Sequence, residues 1–143
     1  MAYWLFKTES DAFSWDEQKA KGAAGQEWDG VRNFQARSNM RAMKKGDYGF
    51  FYHTGDEKRV VGIVEVIAEA HPETKDKTGT WECVDLKAVA DVPNPVTLAE
   101  IKAEPRLKEM VLVKNSRLSV QPVRKEEWDL VCKMGGVKAA APR

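Results

Sequence analysis

Cysteine and histidine are scarce in this chain of 143 residues, with two of each. Cys83 and Cys132 stand far apart beside apolar neighbours. Without Cys-x-x-Cys spacing neither a redox motif nor a zinc knuckle is supported, so both are expected to act as small buried hydrophobes. The two histidines, His53 and His71, give no basis for a His-based metal centre, and no cofactor is implied. Nucleophile elbows, phosphate-cradling Gly-x-Gly-x-x-Gly loops, His-Glu-x-x-His helices and calcium loops are all missing. His53 with Asp56 or Glu57 could form an acid–base pair, but acids beside a histidine in a hairpin loop ordinarily serve solubility. The chain is therefore expected not to be an enzyme.

Long hydrophobic runs are also absent. The N-terminal apolar run spans only Tyr3 to Phe6 before Lys7 interrupts it, and no stretch approaches the ~20 residues of a membrane span. No membrane partner is expected, and a cytoplasmic location follows as an expectation. Hydrophobic residues make up 43% and charged residues 31%, the balance of a globular chain able to bury a core without disulfides. One domain over residues 1–137 is expected, with a tail from Lys138 to Arg143 that frays.

Acidic charge is missing where basic charge collects. From Arg32 to Gly46 five cations face no acid, and from Lys102 to Lys125 seven cations face two acids. Each segment carries +5 of a net +1, which leaves −9 for the remainder. Such separation predicts a basic face and a phosphate-bearing partner, unless the runs are ordinary solvated surfaces.

The stretch from Trp28 to Thr54 holds a Trp, three Arg, an amide-rich turn and an aromatic strand ending in His53. Around it the pattern predicts strands over Tyr3–Lys7, Tyr48–Tyr52, Val60–Ala70, Thr80–Asp91, Val111–Val113 and Leu118–Val123. Both faces of Val60–Ala70 are apolar, which predicts a central strand. Ser14 with Glu17 and Thr97 with Glu100 are capping boxes that open short helices, the second ending before Pro105. A further helix is predicted over Phe34–Met43 with Gly46 placed to cap it, and another over Lys125–Met134, stopped by Gly135-Gly136. Pro93 and Pro95 are expected to break the chain. Strands spaced too closely for helical crossovers predict an α+β fold: a small, mostly antiparallel β-barrel of five or six strands with flanking short helices.

At Trp28-Asp29-Gly30-Val31-Arg32-Asn33, continued by Gln35-Ala36-Arg37, the chain resembles the EVE domain family of the PUA-like superfamily. The likeness extends to Tyr3 through Glu9, Phe50 through His53, Val61-Gly62-Ile63 and Arg117 through Pro122. Ser10 departs from it where the family usually has Pro, and Thr54 where Ser is common. The resemblance implies a PUA-like barrel with a pocket for a base flipped out of DNA or RNA, in particular a modified, for example methylated, base.

The residue types suit that implication. Trp28, Tyr52 and Trp81 are candidate flat walls, since stacking of a base on an aromatic contributes ~1–3 kcal/mol. Asn33, Lys7, Glu9, His53, Thr54, Ser119 and Gln121 are candidate edge readers, by their donors and acceptors. Arg32, Arg37, Arg41 and Arg117 are candidate phosphate contacts. Competing roles stay open: Trp28 could plug the core, Asn33 could cap the following helix, and Ser119 and Gln121 share a face whose direction is undetermined. Two other readings stand beside the base reader: an enzyme acting on a modified nucleotide in the same pocket, and a small-molecule or protein-interaction domain.

Overall fold

The computed structural model describes residues 1–137, so the tail expected to fray, Lys138 to Arg143, lies outside the described residues. The strands are β1 (Tyr3–Thr8), β2 (Gln26–Glu27), β3 (Tyr48–His53), β4 (Arg59–Pro72), β5 (Glu82–Thr97) and β6 (Val120–Val123). The helices are α1 (Trp15–Ala20), α2 (Phe34–Ala42), α3 (Leu98–Ala103), α4 (Val111–Lys114) and α5 (Lys125–Met134). The strands form one six-stranded sheet in the order β2-β5-β4-β3-β1-β6. Only β1 and β3 run parallel, so the sheet is mostly antiparallel as expected.

The expected barrel is replaced by this sheet, which is not closed: its ends are β2 and β6. A two-residue edge strand offers too few ladder bonds to join the far edge. Both sheet faces are covered instead. On one, α1 and α2 pack Trp15, Ala36 and Met40 against Trp4, Phe6, Phe51 and Val64. On the other, α3 and α5 pack Ile101, Trp128 and Val131 against Leu5, Phe50, Tyr52 and Ile63. Period-two alternation assigns neighbours of one strand to opposite cores, and β3 obeys it with Phe50 and Tyr52 on one side and Phe51 on the other.

Both capping boxes form, Ser14 with Glu17 and Thr97 with Glu100. Three expectations are corrected, and one strand was not anticipated. Pro93 and Pro95 do not break the chain, because β5 runs through them to Thr97. The register jumps from Gly62↔Asp91 to Val60↔Val96, a bulge in which prolines forfeit no ladder bond. Val111–Val113 is helical rather than extended, since the Lys114 and Asn115 amides donate to the Met110 and Val111 carbonyls. Gly46, at φ 96°, turns the chain into β3, while Met43 caps α2. Finally, Gln26–Glu27 is a strand that lacked a visible pattern, being only two residues long.

Gly62 on β4 positions α1. The Trp15 ring lies so close to the Gly62 backbone that a Cβ there would stand 2.3 Å from ring atoms. The indole cannot withdraw easily, since its Nε1 donates to Asp91 Oδ1 at 2.7 Å. Gly62→Ala is expected to lower stability by about 1–3 kcal/mol through overpacking. Urea unfolding, with the midpoint shifted and the slope unchanged, checks it.

Candidate functional site

A hollow of about 800 Å³ opens where the ends of α1, β1 and β6 meet the loop from Trp28 to Asn33. Phe13, Trp28 and Val31 supply apolar lining, while Lys7, Asn33 and Ser119 contribute polar groups. Trp28 is 6% exposed. Its amide donates to the Val84 carbonyl at 2.9 Å, which hangs it from β5. Its ring meets Phe6 and Phe51 edge-on, with centroids 5.5 Å apart in each case. Trp28 thus belongs to the core and lines the hollow at once.

The loop's shape depends on Glu73, which is 3% exposed. Its carboxylate accepts from the Gly30 amide at 3.0 Å and from both terminal nitrogens of Arg32, at 3.0 and 2.8 Å. Gly30 sits at φ 81°, a left-handed conformation that favours glycine. The Arg32 hydrogen bond, aided by the Gly30 amide against the cost of burial, holds the Glu73 carboxyl below its ordinary range. Beside it, Lys75 Nζ lies 3.2 Å from Asp29 Oδ2. Asn33 caps α2: its Oδ1 accepts from the Ala36 amide at 2.8 Å. Its Nδ2 donors make no hydrogen bond among the described residues.

Two segments distant in sequence from this loop reach the hollow. Lys7 and Ser119 both line the hollow, joined by the Lys7 amide donating to the Ser119 carbonyl at 2.9 Å. The Lys7 amine itself donates to the Ser116 carbonyl at 2.6 Å, and burial lowers its pKa.

Other sequence candidates lie elsewhere. Tyr52 points into the opposite core, 2% exposed, where burial pushes its phenol up to about 12. His53 is buried with both ring nitrogens engaged: Nε2 accepts from the Trp15 amide at 3.0 Å and Nδ1 faces Glu57 Oε1 at 2.8 Å. The imidazole therefore docks α1 onto β3. Gln121 is fully buried, its amide donating to the Asn115 and Leu118 carbonyls. Glu9 and Thr54 stand outside the hollow, where the Thr54 amide donates to the Thr8 carbonyl.

Trp81 forms an outer cluster rather than an inner wall. Its ring stacks on Phe34 at 4.8 Å, and the Arg32 and Arg37 guanidinium groups lie 5.3 and 5.7 Å from its centroid. Phe34 is 59% exposed. Arg37 also donates to the Thr80 carbonyl at 2.6 Å, and Arg41 pairs with Glu82. The acids missing from the Arg32–Gly46 run are thus supplied by β5 and the loop before it. Arg117, Lys44 and Lys45 make no ion pair among the described residues.

Phe13, Val31, Asp29 and Lys75 also line the hollow, and the sequence pattern did not single them out. Phe13 is a lone aromatic between turn residues, with no period to reveal its direction. Asp29 and Val31 stood in the quoted motif, while Lys75 arrives from a distant loop. Donor atoms able to hold a metal ion collect at the neighbouring sheet corner, in Glu27, His71, Cys83 and Asp85.

The EVE domain model matches residues 2–134. A protein of Agrobacterium tumefaciens with a solved structure is 56% identical, at a TM-score of 0.92 over 96% of this chain and 94% of that one. Human thymocyte nuclear protein 1 is 33% identical over 91% of this chain and 72% of its own length. Its structure in complex with DNA containing 5-methylcytosine aligns at a TM-score of 0.84 and 32% identity, over 94% of this chain and 98% of that one. The YTH domain of a Zygosaccharomyces rouxii protein, solved with N6-methyladenosine RNA, shares the fold at a TM-score of 0.58 and 14% identity, over 94% of this chain and 86% of that one.

Glu73→Gln is expected to cost about 1–3 kcal/mol, the scale of a charge-assisted hydrogen bond. Because the folded carboxyl titrates below its unfolded value of ~4.3, its contribution is complete above that pH and fades as pH falls through the folded pKa. Urea midpoints from pH 7 down to pH 3 should therefore converge for the two proteins.

Proposed function

The chain belongs to the EVE domain family, and from that premise we propose that it binds nucleic acid and receives a flipped, modified base in the hollow floored by Trp28. The single observation that carries this reading is the hollow itself, an aromatic floor with polar groups around it and room for a nucleotide. A volume of about 800 Å³ lies within the range of small-ligand sites. The human relative solved with DNA containing 5-methylcytosine supports the ligand class.

In this reading Trp28 and Phe13 contact the base, Asn33 Nδ2 and the Ser119 hydroxyl read its edges, and Lys75 attracts the phosphates. The Phe34–Trp81 stack with Arg37 lies beyond the Arg32–Asn33 rim and meets the adjoining backbone. Arg117, unpaired among the described residues, extends the cationic surface. Tyr52, His53 and Gln121 hold the scaffold.

Asn33→Asp separates reading from capping, since Asp caps a helix as well as Asn does but offers no amide donor. It is expected to weaken binding of a methylated oligonucleotide while leaving the thermal midpoint nearly unchanged. Trp28→Leu is expected to weaken it roughly 5- to 150-fold, matching ~1–3 kcal/mol of stacking. Fluorescence anisotropy on methylated and unmodified oligonucleotides is the measurement. Equal affinities of the wild type and both folded variants for every oligonucleotide would sink the hollow as the binding site.

A further inference from the structure

Three adjacent strands bring four metal-binding side chains to one corner of the sheet. Glu27 on β2 lies opposite Asp85 on β5, and His71 on β4 lies opposite Cys83 on β5. Cys83 and Asp85, two residues apart, complete the patch. One ligand atom from each residue lies within 4.8 Å of the other three. Among the described residues no other group of this kind converges so closely.

The hydrogen bonds around His71 orient its ring within this group. Its Nδ1 lies 3.0 Å from the Pro72 carbonyl, which can only accept, so that nitrogen carries a hydrogen. Its Nε2 lies 2.8 Å from Asp85 Oδ1. At 2.8 Å the two atoms share a proton in a hydrogen bond. That proton needs only those two atoms and leaves unexplained the convergence of the Cys83 sulfur and the Glu27 carboxylate. A backbone carbonyl on the remote nitrogen is also the usual second-sphere support of a metal-bound imidazole. Glu27 is steadied in turn by the Thr74 hydroxyl and amide.

We propose that Glu27, His71, Cys83 and Asp85 form a zinc site. One sulfur, one nitrogen and two carboxylate oxygens suit zinc, whereas calcium and magnesium favour oxygen alone. Tetrahedral bonds of ~2.0–2.3 Å hold ligand atoms ~3.3–3.8 Å apart, so small rotations of the half-buried Glu27, His71 and Asp85 close the set. The Cys83 thiol and the His71–Asp85 hydrogen bond give up their protons to solvent as the ion binds. The two histidines had seemed too few for a metal centre, but this site needs one. It stands apart from the proposed base-binding role, although Glu27 touches both places.

Cobalt(II) titration of the full chain, stripped beforehand with chelator, tests the proposal. The wild type is expected to take up one equivalent and to show tetrahedral cobalt bands with a thiolate-to-metal charge-transfer band, both displaced by zinc. Cys132→Ser should keep that band, Cys83→Ser should lose it, and His71→Gln or Glu27→Gln should weaken uptake at least roughly tenfold. A wild-type spectrum showing only hydrated octahedral cobalt would overturn the site. So would a thiolate band that survives Cys83→Ser or disappears in Cys132→Ser. Circular dichroism checks each fold, and the wild-type spectrum decides even where a variant unfolds.

Discussion

A single buried carboxylate gathers the upper part of this molecule. Glu73 follows β4, its amide donates to the Trp81 carbonyl to shape the loop between β4 and β5, and its side chain grips Gly30 and Arg32. A charge placed there without partners would cost several kcal/mol. Three donors converge on it, one from an amide that only a left-handed glycine presents in this way. The order of the Trp28–Asn33 loop, the start of α2 and the seat of Trp81 all follow from satisfying that one group.

This constraint changes what the basic charge means. Arg32, Arg37 and Arg41 looked like free phosphate ligands, yet the first and third are ion-paired and the second donates to a carbonyl. In the later basic segment Arg106, Lys114, Arg124 and Lys125 have acids within a few residues. Exposed pairs of this kind contribute little to stability, but they do lower the field a phosphate would feel. The charge separation along the chain is therefore larger than the separation over the folded surface.

Local chemistry was legible in the sequence and long-range chemistry was not. The capping boxes at Ser14 and Thr97 need partners only three residues away, and the two-sided apolar pattern of β4 announced its central place. Arg32 and Glu73 stand 41 residues apart, and no rule of spacing pairs them. The break expected at Pro93 and Pro95 failed because a bulge is set by the partner strand. Tyr52 and His53 carry a plainer lesson. Adjacent residues of one strand face opposite sides, so the alternation by itself forbids both from walling a single hollow. The motif that carries the family likeness did locate the hollow, through Trp28 and Asn33, and its neighbours Asp29 and Val31 were overlooked within it.

What a bound base would feel follows from how Trp28 is held. A ring met edge-on by Phe6, Phe13 and Phe51 loses almost no freedom when a ligand arrives, which favours affinity by sparing the entropy of ordering a side chain. The same packing leaves little of the ring exposed, so contact with it is confined to the bottom of the hollow and a ligand must reach deep to find it. A base still stacked in its strand cannot do that, whereas a flipped one can. With most nearby cations already committed to acids, depth rather than charge would separate an extruded base from the rest of the polymer.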